Sequence, residues 1–191
     1  MTVLKLGTRG SLLALTQSKW VAAAFEANGG ATVEVEVIRT EGDERLDESL
    51  HEIGGQGVFT REIDEALLGE RVQLAVHSLK DLPTQLPEGL CIAATPTRVD
   101  PRDVLVGPGG SPTTLATLNK DAVVGTSSPR RVALLKAFRR DVTPRTIRGN
   151  VDTRISKMRK GYCDGLVLAA AALGRLNLKN KIANYFDSDQ M

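Results

Sequence analysis

The chain has 191 residues, 41% hydrophobic, 25% charged and 4% aromatic, with a net charge of +2; this balance describes a globular α/β protein with room for one large domain or two small lobes. No apolar run approaches the roughly 20 residues of a membrane span, and Arg9, Gln17 and Lys19 break up the first twenty residues before any signal-peptide core can form. Cys91 and Cys163 form neither a metal spacing nor a disulfide framework, so a cytoplasmic, reducing setting is expected.

In chain order, TVLKLGT reads as a strand. Residues 12–27 read as a helix, with Ser11 as its N-cap and Gly29-Gly30 as its stop. TVEVEVIRT alternates Val33, Val35 and Val37 with Glu34 and Glu36, a strand with one wet face. A loop rich in acids and glycines, residues 41–57, leads into a helix near Thr60 to Leu68. RVQLAVHS and GLCIAAT then read as strands, and PTRVDPRD, residues 96–103, as a crossover or hinge. After it the pattern restarts: strand DVLVG, a short helix near Leu115, strand DAVVGTS, helix PRRVALLKAFRR, a strand around PRTIRG, helix NVDTRISKMRKG, strand DGLVLAA, and helical turns to the end. Strands alternating with helices imply mixed or parallel sheets with helices on both faces. The restart places the boundary between a first lobe, residues 1–97, and a second, residues 98–191.

Charge is distributed unevenly. Residues 41–70 carry ten acids against Arg45 and Arg61, whereas residues 130–160 carry eleven bases against Asp141 and Asp152. Such a basic block calls for an anionic partner. Aromatics that could stack on nucleic-acid bases are nearly absent there, so a small polyanion fits as well.

In sheets of this kind ligands sit at the carboxyl ends of strands, and several stretches put polar groups there. GTRGS places Arg9 between a strand and a helix start, where it also fits a plain surface arginine beside the Ser11 cap. In VGTSSPRR, Gly125 allows a tight turn and Pro129 suits the first helical position. The hydroxyls of Thr126, Ser127 and Ser128 join free backbone N–H groups in an anion cradle. Arg130 and Arg131 stand in the first helical turn, where a cation opposes the helix dipole; this fits either a bound anion that compensates or a capped helix with solvated arginines. In TIRGNVDTRISK, Arg148 precedes a Gly149-Asn150 turn, and Arg154 and Lys157 follow on the helix. Arginine grips carboxylates through paired hydrogen bonds that lysine cannot make. Finally, HSLKDLP sets Lys80 and Asp81 at a strand end. This fits either a surface Lys–Asp pair at a turn or a carboxylate retained to steady a cation forming on a substrate. His77 reads as a packing or hydrogen-bonding residue, and no set of His51, His77, Cys91 and Cys163 clusters for a metal.

Taken in order and spacing, GTRGS, GGQGVFTREID, HSLKDLP, TRVDPRD, VGTSSPRR, IRGNVDTRISK and LAAAALGRL resemble the porphobilinogen deaminase (hydroxymethylbilane synthase) family from about residue 3 to about 180. The resemblance implies a two-lobed fold of the type II periplasmic-binding-protein kind, with a cleft between the lobes. It implies head-to-tail condensation of four porphobilinogen molecules with loss of ammonia, in tetrapyrrole biosynthesis. By position it makes Asp81 the catalytic carboxylate, with Lys80 helping to hold it ionised. Arg9, Ser78, Lys80, Thr126, Ser127, Ser128, Arg130, Arg131, Arg148, Gly149, Asn150 and Arg154 become holders of the acetate and propionate groups of a dipyrromethane cofactor. Arg9, Ser11, Phe59, Arg148 and Arg154 are placed beside the substrate, Phe59 packing over the growing chain. The family joins its dipyrromethane to a cysteine in a third domain. Neither Cys91 nor Cys163 matches that anchor, so the expectation is a chain that stops before that domain and is inactive without it. The partner expected is porphobilinogen alone, with no nucleic acid or membrane, and the state a monomer. The other reading is a non-catalytic polycarboxylate-binding protein of the same fold.

Overall fold

The computed structural model describes residues 3–29, 31–44, 57–109 and 113–187, so most of the acidic loop, with His51, lies outside the described residues. The chain divides into two compact units, Met1–Thr95 and Pro96–Met191.

In the first unit, β1 (Val3–Thr8) runs into α1 (Leu12–Ala27), then β2 (Thr32–Val37), a short α2 (Glu41–Glu44), α3 (Arg61–Leu68) and β3 (Leu74–Ala75). Ser11 caps α1, its hydroxyl accepting the Ala14 N–H at 3.2 Å, and Gly29 ends it with φ +76°, a left-handed turn that glycine adopts without strain. The strands lie in the order β2-β1-β3, all parallel. Ile38, Ile63, Ala66 and Val72 are buried against one another, with Leu67 and Ala75 packed on them, an apolar set drawn from sheet and helix alike.

The expected strand RVQLAVHS shrinks to Leu74 and Ala75, because only Leu6 and Gly7 of β1 pair with it. Past Ala75 the chain leaves the ladder and closes a 3₁₀ turn at Leu79–Asp81. GLCIAAT forms no strand at all. Among the described residues it finds no neighbour to pair with, and from Cys91 to Val99 the chain is exposed.

The second unit holds β4 (Asp103–Val106), β5 (Val123–Gly125), α4 (Pro129–Phe138), β6 (Thr143–Arg145), α5 (Val151–Arg159), β7 (Gly165–Ala169), α6 (Ala170–Arg175) and β8 (Ile182–Tyr185). Its sheet runs β6-β5-β7-β4-β8. β5 lies parallel to β6 and β7, and β4 antiparallel to β7 and β8. Alternation along the strands sorts the core: Val104, Val106, Leu166 and Leu168 pack on one face with Ile155 and Met158 of α5. Leu105 and Val167 pack on the other with Leu135 of α4 and Phe186. A sheet buried on both faces in this way needs near-continuous apolar strands, and DVLV and GLVLA supply them. Leu115 sits in a turn, not the expected helix. The closing strand β8 replaces part of the expected helical turns, because Val104, Leu105 and Val106 offer it an open edge. Among the described residues no helix is long and apolar enough to cross a membrane.

Candidate functional site

In the first unit the parallel strands bring Arg9, at the end of β1, and the Leu79–Asp81 turn, after β3, to the same edge of the sheet. The Thr8 side chain is buried and accepts the Ser18 hydroxyl of α1 at 2.7 Å, so the strand end is held in place. Arg9 does not reach into open space. Its Nε donates to Asp43 Oδ2 at 3.1 Å and its NH2 to Asp43 Oδ1, a two-pronged grip that Thr40 supports by donating to the same carboxylate at 2.9 Å. The Phe59 ring covers the guanidinium at 4.1 Å, a cation–π contact. The ring can lie there because residue 42 is glycine: a Cβ at Gly42 would stand 2.3 Å from Phe59. Ser11 is occupied as the α1 cap.

Ser78 donates its hydroxyl to Gln17 Oε1 at 3.3 Å and through its carbonyl accepts the Asp81 N–H at 2.9 Å, fixing the base of the turn. Asp81 is exposed, and its carboxylate makes no hydrogen bond or ion pair among the described residues. The expected Lys80–Asp81 pair does not form. In a 3₁₀ turn neighbouring side chains splay about 120° apart. His77 lies deeper, its Nε2 buried without a hydrogen-bond partner. Burial pushes the imidazole below its ordinary value; Asp64 and Asp81 oppose that push, and Arg9 adds to it.

In the second unit β5 and β6 are parallel, so the turns that follow them share an edge. The Thr126-Ser127-Ser128 cradle is wired internally. Ser127 Oγ donates to the Ile147 carbonyl at 2.6 Å and accepts the Ile147 N–H at 3.2 Å, which locks one turn to the other. Thr126 is buried and its Oγ1 accepts the Ser128 N–H. Ser128 caps α4. The anion that Arg130 and Arg131 require is supplied by Asp103 of β4. Arg131 donates to its two carboxylate oxygens at 3.1 and 2.7 Å and to the Val167 carbonyl at 3.1 Å, and Arg130 adds a further bond. Burial drives the Asp103 carboxyl up, but the bonds and charges of Arg131 and Arg130 outweigh it, and the group sits below its ordinary value. Arg131 is 12% exposed and Arg130 56%, so Arg130 keeps outward-facing donors while Arg131 is largely a pillar.

Arg154 differs from these. Its Nε donates to the Gly149 carbonyl at 2.7 Å, and it meets no carboxylate at ion-pair distance among the described residues. Burial lowers its guanidinium from its ordinary value, and the charges of Arg131 and Arg148 lower it further. Gly149 makes the turn with φ +108°, where a Cβ would crowd Thr153 at 2.8 Å. Asn150 caps α5 without a side-chain hydrogen bond, and Lys157 donates to the Arg148 carbonyl at 3.2 Å. A crowded, partly desolvated set of cations beside a helix start has the donors and the charge to pair with the acid groups of an anion.

Asp43, Asp103 and Gln17 are parts of these sites that the sequence reading missed. Asp103 had a signal: an acid opening the otherwise apolar strand DVLV, within a chain segment rich in bases. Asp43 was hidden among ten acids. Among the described residues no three His, Cys, Asp or Glu side chains gather as a metal set. Cys163 is buried, which raises its thiol, and Cys91 is exposed.

A family model described as porphobilinogen deaminase, dipyromethane cofactor binding domain, matches residues 4–191. Porphobilinogen deaminases of Syntrophobacter fumaroxidans and Bacillus subtilis are 48% and 44% identical to the chain over 97% of its length. The chain spans only about three fifths of those relatives, 60% and 59% respectively. Among solved structures, the periplasmic VFT2 domain of Bordetella pertussis BvgS superposes with a TM-score of 0.53 at 15% identity, covering 97% of this chain and 76% of that one. That likeness concerns the fold, a two-lobed α/β architecture of the periplasmic-binding-protein kind.

Proposed function

Because this chain belongs to the porphobilinogen deaminase family, we propose that it binds a dipyrromethane and porphobilinogen through their carboxylates. In this reading it takes part in the stepwise condensation of four porphobilinogen molecules to a linear tetrapyrrole with release of ammonia. The observation that carries the proposal is Arg154, a half-buried guanidinium beside Arg131 and Arg148 that lacks a carboxylate of its own among the described residues. The donor set fits the group: acetate and propionate side arms are the acceptors that guanidinium donors pair with. Arg154, Arg148 and Arg130 hold those arms, the Gly149-Asn150 turn lets the chain approach closely, and Arg131 stiffens the wall behind them. When bound, the dipyrromethane supplies the pyrrole carbon that the chain grows from.

Asp81 does the chemistry on the substrate side. Loss of ammonia from the aminomethyl group of porphobilinogen leaves a positive charge spread over the pyrrole. A carboxylate near the ring steadies that charge, and it accepts the proton given up once the new carbon–carbon bond has formed. An exposed carboxylate without a partner is ready for this, whereas one already clamped, like Asp103, is not. Ser78, held by Gln17, fixes the turn that presents it. Arg9 reaches a substrate carboxylate by exchanging it for Asp43. The two free thiols fit a reducing, cytoplasmic setting.

The test is calorimetric titration of porphobilinogen and of a synthetic dipyrromethane tetracarboxylate into the chain. Arg154→Leu is expected to weaken binding by about 1.5–3 kcal/mol, the range for a hydrogen bond to a charged group. Asp81→Asn is expected to leave that binding in place and to abolish porphobilinogen consumption when the part of a relative beyond the matched region is supplied in trans. Equal affinity in the Arg154 variant overturns the carboxylate site; undiminished consumption by the Asp81 variant removes Asp81 from the catalytic role, and binding with no consumption by the unaltered chain in the same assay leaves a binding protein without turnover as the better reading.

A further inference from the structure

The carboxylate chemistry at Asp81 makes no use of His77, although the two share one turn. β3 ends at Ala75, because β1 pairs with it only at Leu6 and Gly7, and residues 76–78 carry the chain from the sheet edge into the Leu79–Asp81 turn. The Asp81 N–H, bonded to the Ser78 carbonyl at 2.9 Å, folds the chain back, so His77 stands at the base of the turn that presents Asp81. The ring is half-buried, and its Nε2 is buried without a hydrogen-bond partner among the described residues. A side chain with no nitrogen would pack there without that cost. What an imidazole adds is the capacity to take up a positive charge. The charged groups that act on it come from three elements: Asp64 from α3, Asp81 from the turn and Arg9 from the end of β1. Arg9 is already paired with Asp43, which leaves the two carboxylates as the groups that a charged His77 would join.

We propose that His77 is a positioning residue for Asp81: neutral, it leaves the whole charge of that carboxylate to the substrate's ammonium group, and protonated, it becomes the internal partner that Asp81 otherwise lacks. This role holds only if Asp81 faces the substrate, as read above. Porphobilinogen brings a primary ammonium group, and an exposed carboxylate attracts it before ammonia leaves and steadies the ring cation afterwards. A positive charge beneath the turn divides that attraction and repels the ammonium group. Burial keeps the imidazole below its ordinary value, Asp64 and Asp81 oppose this, and Arg9 adds to it, so at neutral pH the ring is uncharged. Burial raises the Asp64 carboxyl above its ordinary value, and Thr60 and the imidazole hold it back, so the attraction between Asp64 and His77 is mutual. Substrate binding and protonation of His77 therefore oppose each other, and by linkage each weakens the other by the same factor.

The experiment follows the imidazole signals of the whole chain by proton–carbon NMR between about pH 8 and about pH 5, where an imidazole changes charge. The His77 signal is identified by its loss in His77→Asn. In Asp81→Asn and in Asp64→Asn, each checked for an unchanged spectrum elsewhere, the His77 titration midpoint is expected to fall by roughly half a pH unit, as for loss of a unit charge several ångströms away near a surface. Saturating porphobilinogen lowers it as well. In calorimetric titrations porphobilinogen binds about threefold more weakly near about pH 5.5 than near about pH 7.5, the same factor by reciprocity, and the loss disappears in His77→Asn. A dipyrromethane tetracarboxylate, which has no ammonium group, shows no loss that depends on His77. A midpoint unchanged in Asp81→Asn overturns the proposal, as does a pH dependence that persists in full in His77→Asn. Porphobilinogen that fails to bind at any pH, with the midpoint still lowered in Asp81→Asn, refutes the substrate reading and leaves the coupling of His77 to Asp81 standing. Porphobilinogen that binds while the midpoint is moved by neither ligand nor Asp81→Asn refutes the role of His77 alone.

Discussion

Asp103 and Asp81 are the same residue type with opposite fates. Asp103 opens a buried strand and is 5% exposed on its side chain, so it stays ionised only because two guanidinium groups replace water around it. Breaking a buried pair from one side leaves an uncompensated charge. Arg131→Leu is therefore expected to destabilise the fold by about 3 kcal/mol, with Arg130 rescuing part of a larger loss, as read by urea unfolding at neutral pH. The same carboxyl makes stability acid-sensitive. Its folded value lies below its unfolded one, so its contribution is complete above the unfolded value of about 3.9 and drains away as pH falls through the folded value. In Asp103→Asn that part of the acid limb should vanish, so that wild type and variant converge at the lowest pH. His77 has the same sign for a different reason: burial lowers it, so protons favour the unfolded chain, and stability should decline as pH drops below about 6.5. Gln17 and Asp43 could not be recognised from the chain, since each matters through a partner far off in sequence: Arg9 and Asp43 are 34 positions apart.

The elements followed local rules where those rules were strong. Ser11 and Ser128 as caps and Pro129 at the first helical position are interactions within a few residues, and they appear as read; in β2 the Val-Glu alternation holds at Val33, Glu34 and Val35 but ends there, with Glu36 half-buried and Val37 exposed. Failures cluster where an element exists only by virtue of a neighbour. RVQLAVHS and GLCIAAT have the composition of strands, yet a strand needs a ladder, and β1 supplies only two pairing positions. β8 has weaker local signals and forms because β4 presents an unpaired edge. Gly125 shows the same dependence in packing. A Cβ there would stand 2.7 Å from Leu166 Cδ2 and 3.0 Å from Cys163 Sγ, so the turn after β5 sits tight against β7. Gly125→Ala is expected to cost roughly 1–3 kcal/mol, as overpacking usually does, measured as a lower midpoint in urea with an unchanged slope.

At the scale of the whole chain, two units have separate cores, joined through residues 91–99, which are exposed and carry no regular structure. Exposed, unpaired backbone is where proteases cut first. Brief trypsin digestion is expected to cleave after Arg98 before any arginine of α4 or α5; protection at Arg98 would mean that the segment is covered. In the same native protein, a maleimide should label Cys91 and spare Cys163, which is 5% exposed and raised by burial.

The amino-acid order by itself determined the α/β class, the caps, most of the helices and strands, the basic block of the second half and the resemblance to a family, because these are properties of residue type and short-range spacing. Only the tertiary structure decided which of the many cations are still without a carboxylate. Arg9 and Arg131 look like ligand-holding residues in the sequence and turn out clamped by Asp43 and Asp103; Arg154, on the same evidence no different from them, lacks such a clamp among the described residues. Charge is fixed by the residue, but its availability depends on which opposite charge the fold brings within hydrogen-bond distance, and in a chain this size that partner is set by contacts between strands and helices remote in sequence.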